Sequence, residues 1–131
     1  MQMDLNNTRP LPDAFDPRTT DDTGLSVYRH RFHSAAEAAS FRTLGKSRAW
    51  IAYIPVEGIF SLGLTVVPDP LGATGLLPPQ RGHALIPELT SALRQSDRQR
   101  LEVLKRALLA IVLAIEGPFS PPEVKTHPPQ L

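Results

Sequence analysis

The chain has 131 residues, with 14 Lys or Arg against 13 Asp or Glu and a formal net charge of +1. That length holds one domain, and the balanced charge gives no global field that would gather nucleic acid or an anionic membrane. Cysteine is absent, which excludes disulfides, thiolate catalysis and cysteine-based zinc sites together.

Residues 1–24 hold five Asp and two Arg and show no apolar period. A segment rich in Pro, Asp, Thr and Gly buries too little surface to offset its ordering entropy. It is expected to be a draped arm that Leu11 and Phe15 pin to the domain. Its start, MQMDLNNTRP, lacks the basic and apolar stretches of a signal peptide. The longest apolar run, Ala107–Ile115, has nine residues, short of the roughly 20 that a helix needs to span a bilayer. A cytoplasmic protein with no membrane segment is the expectation.

Leu25–Arg29 alternates as a strand, with Leu25, Val27 and Arg29 on one face and Ser26 and Tyr28 on the other. Ser34–Leu44 reads as a helix opened by a capping box of Ser34 and Glu37. Ala49–Val56 is apolar on both faces, which predicts a central strand of the sheet. A short helix over Glu57–Leu62 and a strand over Leu64–Val67 come next, stopped by Pro68-Asp69-Pro70. Leu71–Gly82 carries three Gly and two Pro in twelve residues and reads as a long loop, a common place for function.

His83–Ile86 predicts a short strand, and Pro87 suits the first position of a helix through Leu93. Ser96 and Gln99 form a second capping box. From there Leu101, Leu104, Leu108, Ile111 and Ile115 mark one stripe of a long helix to Glu116. The fold class is therefore α+β: a small sheet of three to four strands with a long C-terminal helix packed on one face. The domain spans residues 25–116, between the arm and a proline-rich extended tail at 117–131.

GLSVYR, a helix, AWIAYIPVEGIFSLGLTVVPDP, a loop and GHALIPEL cover about residues 24–90. In that order they resemble a family of small uncharacterised bacterial proteins. The family's plan is a short L-S-V strand, an apolar strand before a short helix, L-G-L-x-V-x-x-D-P and a closing H-A-x-I. The resemblance implies a bacterial single-domain unit and brings no activity, ligand or catalytic residue with it.

Candidate chemistry is sparse. His83 opens a strand after a Gly and falls near Asp69; an Asp–His pair at a pocket mouth moves protons, because the carboxylate fixes the ring and His titrates near neutral pH. The plainer reading is that His83 caps the strand on a backbone carbonyl of the proline-rich loop. His30 and His33 are three apart and lack a third ligand of obvious spacing, so no metal and no cofactor is expected. Arg29, Arg31, Arg42, Lys46 and Arg48 form the one basic concentration, suited either to phosphate contact or to a solvated charged face.

These residues suit three functions. The leading one is a non-enzymatic accessory or regulatory domain that binds another protein, or itself, through the apolar C-terminal helix. The second is a small toxin-like enzyme acting on a nucleotide or nucleic acid, with Arg29 on phosphate and His83 and Asp69 moving the proton. The third is nucleic-acid binding by the basic 29–48 face.

Overall fold

The computed structural model describes residues 12–17, 23–41, 49–73 and 77–119. In chain order, a 3-10 turn (Pro12–Phe15) precedes β1 (Leu25–Tyr28), α1 (Ala35–Ser40), β2 (Ala49–Tyr53) and α2 (Val56–Ser61). Then come β3 (Val67–Pro68), β4 (His83–Ile86), α3 (Ser91–Ser96), α4 (Arg98–Ala110) and β5 (Ala114–Phe119). The chain is α+β, with two small antiparallel sheets.

The larger sheet runs β1-β4-β3. Its register pairs Leu25 with Ile86 through Tyr28 with His83, and Val67 with Leu85. Successive side chains on a strand point to opposite faces, so Leu25, Val27, Ala84 and Ile86 share one face and Ser26, Tyr28, His83 and Leu85 the other. The first face closes the core. There Ile86 packs with Phe15, Ile59, Leu64, Leu89, Leu101, Leu104 and Leu108. The steps of three and four among the leucines of α4 are what bring them to one side of that helix.

Phe15 pins the arm as the sequence implied, whereas Leu11 lies outside the described residues. Asp16 adds a polar clamp: its carboxylate accepts from Lys105 Nζ at 3.2 Å and lies 3.6 Å from Arg94. Lys105 is 1% exposed, and its ammonium also reaches Glu102 at 2.9 Å.

Four expectations are corrected. The C-terminal helix stops at Ala110, and Ala114–Phe119 forms β5, paired antiparallel with β2. Ile111, Val112 and Ile115 are β-branched and favour a strand, and Gly117 and Pro118 oppose further helix. The helix also starts later than expected, because Asp97 takes the N-cap, accepting the Arg100 N–H at 3.1 Å.

Second, Ala49–Tyr53 is not central. Among the described residues it pairs with β5 alone, and its side chains are half-buried. Third, Pro87 opens a turn rather than a helix; Thr90 caps α3 by accepting the Leu93 N–H at 3.2 Å. Fourth, Leu64–Val67 shrinks to β3, since Leu64 leaves for the core and the Thr65 N–H and hydroxyl both donate to the Glu88 carboxylate. Helix α1 keeps its Ser34 cap, which accepts the Glu37 N–H at 3.1 Å, and is described only as far as Phe41. Among the described residues no helix is long and apolar enough to cross a membrane.

Candidate functional site

The second face of the larger sheet carries an open cleft of about 290 Å³. Strand alternation supplies its floor: Ser26 and Tyr28 from β1, His83 and Leu85 from β4. Asp69 enters just past β3, and Phe41 and Gln80 form walls. Pro68 and Pro70 fix the backbone around Asp69, whose N–H donates to the His83 carbonyl at 2.9 Å. Tyr28, His83 and Asp69 therefore lie in a row across three chain segments.

His83 is 4% exposed. Its Nδ1 lies 2.8 Å from the Asp69 carbonyl oxygen and 3.3 Å from Asp69 Oδ2. A carbonyl only accepts, so Nδ1 carries the proton and a neutral ring keeps its lone pair on Nε2. The capping reading and the Asp–His reading of His83 thus meet at one residue, through its backbone and its side chain. Among the described residues Nε2 takes no further hydrogen bond.

Tyr28 stands with its ring centroid 5.5 Å from that of His83, and its hydroxyl donates to Gln80 Oε1 at 2.8 Å. Gln80 is held in turn by backbone bonds with Leu71 of 2.8 and 3.1 Å. The Leu71–Gly82 stretch is therefore tied at its ends. On the far side of Tyr28 sits His33, buried, with its ring 5.8 Å away and Phe41 beside both rings. His33 Nε2 accepts the Gly82 N–H at 2.7 Å, so its Nδ1 carries the proton and donates to the Glu37 carboxylate. Glu37 thereby bonds His33 instead of closing the capping box with its own side chain.

Arg29 does not line the cleft. Its N–H donates to the Gly82 carbonyl at 2.9 Å, its guanidinium reaches the Arg81 carbonyl at 3.1 Å, and it lies over the Phe32 ring. Arg31, exposed, lies over the same ring. Arg42, Lys46 and Arg48 fall outside the described residues. Of the candidate residues, the structure brings Asp69 and His83 together and uses Arg29 to hold the turn that carries His83.

Tyr28 and Gln80 are not among the site residues expected from the sequence, and His33 is considered there only with His30 as a metal pair. Tyr28 was legible through its alternation with Val27, whereas His33 precedes the Ser34 N-cap and bonds Gly82, 49 positions away. Gln80 has no local signal. His30 is exposed and packs edge-on against Tyr53. Among the described residues no group of three or more His, Cys, Asp or Glu could hold a metal.

Outside the cleft, Tyr53 on β2 and Glu116 on β5 are diagonal neighbours, because Ile51 pairs with Glu116 and Tyr53 with Ala114. Desolvation first, then the hydrogen bond and the charge of Glu116, raise the Tyr53 phenol above its ordinary value of 10.0. No family model, curated protein or solved structure matches this chain.

Proposed function

We propose that the chain is a non-enzymatic protein-binding domain, an accessory or regulatory component, whose recognition surface is the cleft face of the larger sheet. One observation carries the reading. The edge strand β3 is two residues long, and Val67 and Leu71 stand exposed at 46% and 38% on the segment that also supplies Asp69 to the cleft. Exposed apolar side chains rimmed by polar groups suit a partner's surface.

Two further features support it. A nucleophile and base must be within hydrogen-bond reach of each other, and among the described residues neither Ser26 nor Thr23, the aliphatic hydroxyls of the cleft, is bonded to the His83 ring. The apolar stripe of α4 lies in the core through Leu101, Leu104 and Leu108, and the apolar end expected to bind a partner continues past the helix into β5. These features support placing the proposed binding surface on the sheet.

Photo-crosslinking residues placed singly at Val67, Leu71 and Val103 test this. Val103 is 66% exposed on α4 and serves as the control. The same discrete adduct from positions 67 and 71, and none from 103, is the expected result. Adducts from 103 alone, or from no position, overturn the proposal. The toxin-like enzyme is the second reading, favoured by the contact of His83 with Asp69. It needs a phosphate contact as well, and Arg29 is engaged with the Arg81–Gly82 turn.

A further inference from the structure

We infer that the cleft receives a basic side chain, an arginine guanidinium above all, presented by the partner protein. The inference rests on the protein-binding reading and adds the chemistry of the recognised group.

Charge comes first. Among the described residues that line the cleft, Asp69 is the one with a formally charged side chain, and that side chain is 46% exposed. A carboxylate offers about four lone-pair sites, and the contact with His83 Nδ1 occupies one oxygen at 3.3 Å. The other polar groups are mixed: Gln80 Oε1 accepts from Tyr28, which leaves the Gln80 amide N–H groups as donors. His83 has its proton fixed on Nδ1 by the Asp69 carbonyl, so Nε2 accepts, and the hydroxyls of Ser26 and Thr23 can accept or donate. A lining whose charged group is the Asp69 carboxylate, with Nε2 of His83 as a further acceptor, favours a positively charged donor over phosphate.

Shape selects within that class. Tyr28 and Phe41 stand with ring centroids 5.2 Å apart and planes tilted by 39°. Aromatic walls attract cations, and a planar guanidinium both stacks on a ring and forks onto a carboxylate. The volume of about 290 Å³ lies at the lower edge of the roughly 300–1,000 Å³ typical of pockets for whole small molecules. That size suits one side chain entering from a polypeptide, whose backbone then lies along the β3 edge beside Val67 and Leu71.

The test uses the full chain, labelled with nitrogen-15, titrated with the tripeptide acetyl-Gly-Arg-Gly-amide and followed by backbone amide shifts. Saturable shifts are expected at Asp69, Gln80 and His83. Citrulline in place of arginine keeps the shape without the charge, and is expected to bind about tenfold more weakly or worse. Asp69→Asn is expected to cost a similar factor. It retains the backbone carbonyl that holds His83, and the remaining amide spectrum reports whether the fold is kept. Inorganic phosphate is expected to move none of these amides.

Equal binding of the citrulline peptide, an unchanged affinity in Asp69→Asn, or phosphate shifting the same amides each overturns the inference. Crosslinks at Val67 and Leu71 with no arginine binding sink the ligand class and leave the protein-binding reading standing. Arginine binding with no crosslinks does the reverse, and points to a free guanidinium compound.

Discussion

At Gly82 one methyl group would be decisive. A Cβ built there lies 2.6 Å from His33 Cδ2 and 2.7 Å from Phe32 Cβ. His33 has little room to yield, since Gly82 and Glu37 hold its two nitrogens. Overpacking of this kind costs about 1–3 kcal/mol, so Gly82→Ala is expected to lower stability by that amount in urea denaturation, with the slope unchanged. A different residue-scale test lies at Tyr53. The raised phenol means the folded state favours the neutral form. The stability it contributes is therefore present below the ordinary value of 10.0 and is lost as pH climbs through the folded one. In a Tyr28→Phe background, which leaves Tyr53 as the sole tyrosine, Glu116→Gln is expected to lower the phenolate midpoint seen by ultraviolet absorbance. The return is partial, because desolvation is the larger cause and remains.

Among the elements, the arm and α4 meet at a buried charge. Removing Asp16 leaves the Lys105 ammonium buried with one carboxylate fewer, whereas Lys105→Met removes the charge and keeps the length. Breaking a buried pair costs roughly 3–5 kcal/mol, and Asp16 is partly exposed, so Asp16→Ala is expected near the low end, about 3 kcal/mol. Lys105→Met is expected to cost clearly less, and chemical denaturation of the two variants decides the order. Local signals gave the elements that local chemistry specifies. The strand at His83–Ile86 and the Ser34 cap of α1 were legible in place from the sequence. The long C-terminal helix was not, because the stripe of Leu101, Leu104 and Leu108 runs without a break in period into Ile111 and Ile115. Pairing with β2 overrides that period, and nothing near residues 111–119 signals a partner at 49–53. Asp69 and His83 were legible as neighbours for a local reason, since they flank one loop. His33 was not, as its partner Gly82 is 49 positions away.

At the scale of the molecule, the larger sheet divides two tasks. One face is closed by the core and the other is open as the cleft. The alternation that fills the core with Val27, Ala84 and Ile86 is the same one that delivers Tyr28 and His83 to the opposite side. A register slip of one residue would exchange the two sets, so the proposed recognition face and the core depend on the same pairing. The balanced net charge of +1 fits a partner chosen at short range by the local charge of Asp69, in place of one drawn in by a long-range field.

The smaller sheet has a consequence for how the protein is made. Translation delivers β2 at Ala49–Tyr53, and its partner begins only at Ala114. Until the ribosome has released that later stretch, Trp50, Ile51 and Tyr53 belong to a nascent strand whose native neighbour does not yet exist. The emerging chain therefore displays an apolar segment of the kind that chaperones bind and that unpaired edges aggregate through. The β2–β5 pairing must wait until synthesis of the described residues is nearly complete.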